Sequence, residues 1–216
     1  MRTLVIDSAT AACSIALFER DGGGSTCLAH DYRLLGRGHA EQLVPMIAAL
    51  PEHGRAGRIA VALGPGSFTG VRVGLAAAKA LAFAWGSALH GYPTLALVAA
   101  MARAQVSEPF SVMMTGGHGE WFVQRFATDA RPLTPLASLT PDRAVETTTD
   151  VLIAGSEAQA AVARRGWGEA LPLLPDAGAF PLLADEALGA DVRPLYGREP
   201  DARPVAGATG QLAGAG

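Results

Sequence analysis

Apolar and polar residues alternate in blocks along the first half of the chain, and these blocks predict strands and helices in a definite order. Short apolar runs bounded by glycine or small polar residues predict buried strands, whereas apolar residues at spacings of three and four predict helices. The predicted strands are Thr3–Asp7, Cys13–Glu19, Thr26–Leu35, Arg58–Leu63 and Ala88–Tyr92, and the predicted helices are His39–Leu50, Val71–Trp85 and Thr94–Ala104. Three hairpin strands followed by helix–strand alternation give a mixed sheet with helices on its faces.

The second half of the chain repeats this order more weakly. Its predicted strands are Phe110–Met114, Glu120–Ala127, Leu133–Leu139 and Val151–Ala154, and its predicted helices are Pro141–Thr147, Ser156–Arg165 (with Ser156 as N-cap) and Ala179–Leu188. Two related halves predict an α/β, actin-like (ribonuclease H-like) fold with two lobes, each a mixed sheet flanked by helices. We expect an N-terminal lobe over residues 1–105, a smaller C-terminal lobe over residues 106–199, and a disordered tail over residues 200–216, where bulky apolar side chains are almost absent.

A glycine-rich turn connects the strand Arg58–Leu63 to the helix Val71–Trp85. Free N–H groups at a helix start favour anions, so such a turn suggests phosphate binding. The spacing of its glycines, however, matches neither a P-loop, nor a dinucleotide fingerprint, nor a serine elbow. The pattern therefore favours a tight turn with Ser67 or Thr69 as N-cap. The residues of this turn that we single out are Gly64, Gly66, Ser67, Thr69 and Gly70.

The helix Val71–Trp85 is apolar on more than one face. One stripe consists mainly of small residues, a second is bulkier, and a third carries Arg72, Ala76, Lys79 and Phe83. A helix of this kind needs a cover on two sides. We expect the sheet to supply one cover, and another helix or a partner protein to supply the other.

Composition narrows the classes of function. The chain has 216 residues, half of them hydrophobic, and a formal net charge of −3. Because it has no basic block, autonomous nucleic-acid binding is not expected. Its two cysteines are too few for a disulfide scaffold or a zinc site, which favours a reduced cytoplasmic compartment. The longest apolar run, Val73–Gly86, is interrupted by Lys79 and is shorter than the ~20 residues of a membrane span, so we expect no membrane association.

Four segments together resemble a known family. They are LVIDSATAACSIAL (Leu4–Leu17), GRGHAEQLVPMI (Gly36–Ile47), GPGSFTGVRVGLAAAKALA (Gly64–Ala82) and RPLYGREPDA (Arg193–Ala202, with Gly197 where leucine is usual). In this order they resemble the bacterial tRNA threonylcarbamoyladenosine biosynthesis protein TsaB (YeaZ) family, of the actin and heat-shock ATPase superfamily. The segment Thr115–Phe122 departs from the pattern of the family, in which a segment like Asp-Ala-Arg-x-x-Glu-Val-Tyr is common.

The resemblance implies a scaffold role. Members of this family are paralogues of the catalytic subunit TsaD and pair with it. Together with the ATPase TsaE they help to place a threonylcarbamoyl group on adenosine 37 of tRNAs that read ANN codons. The implied partners are a second copy of the chain, a TsaD-like subunit, a TsaE-like ATPase and, through the complex, tRNA.

The residues of this chain agree with a role that is not catalytic. The resemblance implies that the catalytic paralogue holds a metal with a His-x-x-x-His pair, whereas His39 is followed at that spacing by Leu43. A single imidazole is not a metal site, so a capping or interface role is favoured for His39. Asp7 ends the first strand, where actin-like ATPases hold Mg²⁺-nucleotide, but its turn lacks glycine. We therefore expect a vestigial Asp7, no metal and no cofactor of the chain's own, with ATP and Mg²⁺ only in the wider complex.

Three functional hypotheses remain open from the sequence. The first is a non-catalytic partner subunit that pairs through the two N-terminal helices. The second is a metal- or ATP-dependent hydrolase, either a glycoprotease-like peptidase or an ATPase, and the third is a free-standing structural module. For the first, the predicted interface residues are His39, Leu43, Met46, Ile47, Phe68, Val71, Arg72, Leu75, Ala78, Lys79 and Ala82.

Overall fold

The computed structural model describes residues 1–22 and 24–197, and its first half forms a five-stranded mixed sheet. The strands are β1 (Arg2–Asp7), β2 (Ala12–Asp21), β3 (Gly24–Leu34), β4 (Arg58–Ala62) and β5 (Ala88–Tyr92), in the spatial order β3-β2-β1-β4-β5. The first three strands form an antiparallel meander, and β4 and β5 add in parallel to β1. The predicted hairpins and crossovers are thus confirmed for this half.

The second half repeats the same topology. Its strands are β6 (Phe110–Thr115), β7 (Trp121–Phe126), β8 (Ala137–Leu139), β9 (Leu152–Ala154) and β10 (Glu169–Leu171), in the order β8-β7-β6-β9-β10. The β6–β7 and β7–β8 pairs are antiparallel, while β9 is parallel to both β6 and β10. Each strand of the second sheet therefore occupies the position of the strand five numbers earlier in the first sheet. The predicted two-lobed actin-like fold is confirmed.

Five α-helices flank the sheets in the described residues. They are α1 (His39–Ala49), α2 (Phe68–Trp85), α3 (Thr94–Ala102), α4 (Pro141–Thr147) and α5 (Ala158–Arg165). By length and composition alone α2 would also suit a membrane span. Its inner stripe nevertheless packs in the core of the first lobe, as expected for the core helix of a globular protein.

Two local predictions in the second half are wrong, and one strand was missed. The predicted helix Ala179–Leu188 is two short 3₁₀ turns, Ala177–Leu182 and Asp185–Ala187, because Pro181 lacks the N–H that a continuous helix needs. The N-cap of α5 is Glu157 instead of Ser156, whose hydroxyl accepts a hydrogen bond from the backbone N–H of Thr115. The edge strand β10 was not predicted.

The last described segment, residues 172–197, crosses back to the first lobe. The N–H of Ala177 donates to Ser14 Oγ at 2.9 Å, and the N–H of Leu195 donates to the carbonyl of Leu63 at 2.8 Å. Helix α3 also joins the lobes, since Leu97 packs in the core of the first and Leu95 in that of the second. The division at residue 105 stays a prediction, and the predicted tail 200–216 lies outside the described residues.

Candidate functional site: a helix face and an interlobe cleft

The glycine turn docks directly on the turn between β1 and β2. The backbone N–H of Ser67 donates to the carbonyl oxygen of Ala9 at 2.6 Å, and Ser8 Oγ donates to the carbonyl oxygen of Gly70 at 2.9 Å. A Cβ added at Gly66 would overlap the Ala9 carbonyl, and one at Gly70 would overlap the Ser8 carbonyl. Glycine is therefore required at both positions for backbone-to-backbone contact.

Two N–H groups at the start of α2 are bonded within the chain. Of the two predicted N-cap candidates, Ser67 is the N-cap of α2, and its Oγ accepts from the N–H of Gly70 at 3.2 Å. The N–H of Ser67 is already bonded to Ala9. Because the chain itself satisfies these two donors, the hydrogen bonds of the turn serve to position α2 on the β1–β2 turn.

Asp7 is buried beneath the same turn. Its Oδ1 accepts from the N–H of Ala9 at 3.1 Å, and its Oδ2 accepts from Tyr92 Oη at 3.2 Å. Burial raises the pKa of Asp7 from 3.8 to about 7, because desolvation penalises the charged carboxylate more than these hydrogen bonds stabilise it. Both oxygens thus have partners within the chain, which fits the predicted vestigial role better than that of a metal ligand.

His39 does not belong to a metal-binding group. Its ring is buried at the start of α1, with Nε2 3.4 Å from the carbonyl oxygen of Ala12, which ties the helix to the start of β2. Among residues 1–22 and 24–197, no group of three or more His, Cys, Asp or Glu side chains is placed to hold a metal ion.

The prediction that the inner residues of α1 and α2 face a partner is wrong. Their side chains lie in the chain's own core, where α1 and α2 cover the first sheet. A side chain that already packs inside the lobe offers no surface to a second protein. This correction applies to His39, Leu43, Met46, Ile47, Val71, Leu75 and Ala78.

The outer face of α1 and α2 is the surface that remains exposed. Phe83 is 93% exposed and Val44 is 60% exposed, although both are large apolar side chains. Small residues lie around them, so a second backbone would be able to approach closely. We define this outer face by Ala40, Val44, Ala48, Ala76, Lys79, Ala80, Phe83 and Ala84, all of them exposed. Apart from Lys79 the predicted interface omitted these residues, although the third stripe of α2 already contained Ala76 and Phe83.

The remaining predicted interface residues lie at the edges of this face. Ala82 is half-buried, on the flank of α2. Phe68 and Arg72, in the first turns of α2, turn toward the C-terminal segment instead. The Arg72 guanidinium carbon lies 3.2 Å from the centroid of the Phe68 ring, and its Nη2 donates to Tyr196 Oη at 2.9 Å.

A cleft of about 1030 Å³ separates the two lobes. The first lobe contributes the β1–β2 turn and the start of α2, and the second contributes the β6–β7 turn. The atypical segment 115–122 thus forms a wall of the cleft, with His118 in the left-handed region (φ 58°). The lining residues include Ala9, Thr10, Phe68, Arg72, Met114, Gly116, His118, Phe122, Leu174 and Tyr196.

Comparisons with known proteins agree with this architecture. The family model described as TsaD, tRNA N6-adenosine threonylcarbamoyltransferase, matches residues 33–173. The tRNA threonylcarbamoyladenosine biosynthesis protein TsaB of Escherichia coli is 40% identical over 104 residues, which cover 46% of this chain and 43% of that protein. The structure of YeaZ from Pseudomonas aeruginosa superimposes with a TM-score of 0.71 at 26% identity, covering 90% of this chain and 99% of that one.

The chain belongs to the TsaB (YeaZ) family. The predicted family resemblance is thereby confirmed. The TsaB protein of Haemophilus influenzae is 41% identical over 85 residues, covering 37% of this chain and 34% of that protein. The chain therefore aligns with less than half the length of these two curated TsaB proteins.

Proposed function

We propose that this TsaB-family chain is a non-catalytic subunit of the assembly that adds threonylcarbamoyl to adenosine 37 of ANN-decoding tRNAs. It pairs with a TsaD-like catalytic subunit through the outer face of α1 and α2. A TsaE-like ATPase and tRNA join through that assembly, which works in the cytoplasm. ATP and Mg²⁺ act in the wider complex and not on this chain alone.

The observation that carries the proposal is the outer face itself. Phe83 stands almost fully exposed on α2, opposite the stripe that packs on the sheet. Exposed aromatic side chains surrounded by small residues favour a protein interface, because an aromatic anchor can fill a pocket while the flanking helices approach. Two such helices from each protein would form a four-helix contact, in which a second copy and a TsaD-like subunit compete for one surface.

The chemistry of the chain supports a subunit without a reaction of its own. The carboxylate of Asp7 is bonded internally, and the ring of His39 contacts the backbone of β2. Neither side chain lines the cleft. No observation in the described residues favours the hydrolase hypothesis over the partner subunit.

A charged substitution on the outer face tests whether this surface binds the TsaD-like subunit. Phe83→Asp places a carboxylate where the proposed partner packs, and Val151→Asp is the matched control, since Val151 is 49% exposed in the second lobe. Size-exclusion chromatography with the TsaD-like protein should show that Phe83→Asp loses the complex and that Val151→Asp keeps it. Cells depleted of the chain should lose threonylcarbamoyladenosine from bulk tRNA and regain it with Val151→Asp only.

Two outcomes would refute the proposal at different levels. If modification stays unchanged after depletion, the chain has no role in this pathway. If modification falls but Phe83→Asp still restores it and still pairs, the role stands and the assigned interface is wrong. Stoichiometric metal, or tight ATP binding by the chain alone, would favour the hydrolase.

A further inference from the structure

We propose that the interlobe cleft binds a small organic anion with an apolar body, and that it does so without a divalent metal. This ligand site is separate from the outer face of α1 and α2. It is defined by the rim residues Phe68, Arg72 and Tyr196 and by the apolar wall that Met114, Phe122 and Leu174 contribute.

The size and lining of the cleft suit a ligand with a large apolar part. Its volume of about 1030 Å³ lies just above the usual range of small-molecule sites, about 300–1,000 Å³. Such sites are mostly apolar and use a few convergent polar groups to orient the ligand. In this cleft, hydroxyl groups are the main polar groups of the lining. They belong to Thr10, Tyr32, Ser67, Thr115, Ser156 and Tyr196.

The charge of the lining selects an anion. Among the described residues that line the cleft there is no Asp or Glu, whereas Arg72 is permanently cationic. No carboxylate pairs with Arg72 in the described part of the chain, and its one hydrogen bond is donated to the neutral Tyr196 hydroxyl. The remaining guanidinium N–H donors are therefore available to a carboxylate or phosphate, which arginine binds in bidentate fashion.

The rim also holds Arg72 in place before a ligand arrives. The guanidinium stacks on the Phe68 ring, and the Phe68 and Tyr196 rings lie 6.4 Å apart. Stacking and the hydrogen bond restrict the rotamers of a long side chain, so less conformational entropy is lost when an anion binds.

A magnesium nucleotide does not fit this site. Mg²⁺ is held through carboxylates together with phosphate and water, and the lining has no carboxylate. Asp7 lies outside the lining and is buried, with both oxygens bonded to the chain. In the glycine turn, Gly66 and Gly70 pack on the backbone of Ala9 and Ser8. The ligand class is thus a carboxylate or phosphate head on an aromatic or aliphatic body.

Titration calorimetry on the full chain alone tests this proposal with four probes. They are 1-naphthylacetate, 1-naphthyl phosphate, the neutral 1-naphthalenemethanol, and ATP with Mg²⁺. We expect both naphthyl anions to bind at least tenfold more tightly than the neutral alcohol, and Mg²⁺-ATP to bind more weakly than either. The stronger of the two anions identifies the head group as carboxylate or phosphate.

Two arginine variants show whether anion binding depends on Arg72 itself or on the positive charge of any surface arginine. Arg72→Gln should weaken the binding of both naphthyl anions about tenfold, since a hydrogen bond to a charged group is lost. The binding of the alcohol should stay unchanged. Arg55→Gln is the control, because Arg55 is exposed and lies outside the cleft. Urea unfolding verifies that both variants fold. The proposal is overturned if no naphthyl anion binds, if the alcohol binds as well as the anions, if Mg²⁺-ATP binds best, or if Arg55→Gln has the same effect. None of these outcomes depends on a TsaD-like partner.

Discussion

Replacing Gly66 by alanine should destabilise the fold strongly, because the added methyl group meets backbone and not a movable side chain. An ideal Cβ at this position overlaps the Ala9 carbonyl oxygen and lies 2.9 Å from its carbonyl carbon. Relief requires the glycine turn to move away from the β1–β2 turn. That movement breaks the hydrogen bond from the Ser67 N–H to Ala9, which is 2.6 Å long.

The expected magnitude follows from these two losses. Overpacking a close-packed site costs about 1–3 kcal/mol, and a lost intramolecular hydrogen bond costs about 1 kcal/mol more. We therefore expect the free energy of unfolding to fall by about 2–4 kcal/mol. With a urea m-value of about 3 kcal/mol/M for a chain of this size, the unfolding midpoint moves down by roughly 1 M.

Urea unfolding followed by circular dichroism measures this shift, and Gly57→Ala is the matched control. No heavy atom lies within 4 Å of a Cβ at Gly57, and its φ is not positive, so its midpoint should stay near that of the parent chain. A phosphate loop would behave in the opposite way, with Gly66→Ala folding normally and losing only an anion. A change of less than 0.5 kcal/mol at Gly66, the usual range of neutral surface substitutions, would refute the packing argument.

Three further predictions concern buried charge. Burial raises the pKa of Asp7 from 3.8 to about 7, so between these values the unfolded chain binds fewer protons and stability falls as pH rises, by on the order of 4 kcal/mol. Asp7→Asn should remove that fall, which is measured by urea unfolding of both proteins at pH 4.5 and 8. If the free energy of unfolding changes equally with pH in the parent chain and in Asp7→Asn, the raised pKa does not belong to Asp7. Leu75→Asp, at a site 4% exposed, should cost about 4 kcal/mol or more, whereas Phe83→Asp should stay within about 0.5 kcal/mol by thermal unfolding. If Leu75→Asp folds as well as Phe83→Asp, the inner and outer faces of α2 are assigned wrongly. Asp150→Ala removes the buried partner of Ser111 and Arg125 and should lower the free energy of unfolding by about 3 kcal/mol. Asp142→Ala, which breaks the exposed pair with Arg164, should lower it by about 1 kcal/mol or less. Similar losses in urea unfolding of the two variants would argue against a buried network.

The order of elements was predictable because each strand and helix of the first lobe has a local signal. Glycine or small polar residues bound the strands, and the three strands of the meander are long enough for their pattern to be clear. The weaker signal of the second lobe still sufficed for most of its strands. Strand β10 has only the three residues Glu169–Leu171 and lies at a sheet edge, so no periodicity could be recognised.

The packing of the C-terminal segment could not be predicted, since it depends on contacts between residues far apart in the sequence. Ala177 bonds to Ser14 across more than 160 positions, and Tyr196 bonds to Arg72 across 124. The two turns that stand in place of the predicted helix Ala179–Leu188 lie between these contacts. The cleft could not be predicted from the sequence either, because its walls come from both lobes and from this segment.

The inner and outer faces of α2 could not be distinguished by hydrophobicity, since both consist largely of alanine and other apolar residues. Glycine spacing was the better signal. Gly66, Gly70 and Gly74 recur every four residues and all approach the β1–β2 turn, where a Cβ at Gly74 would lie 2.5 Å from Ser8 Oγ. The opposite side of α2 must then face away from the sheet. The same glycines that pack on the β1–β2 turn thus hold α2 with Phe83 outward, so the closely packed turn and the exposed helix face follow from one packing arrangement.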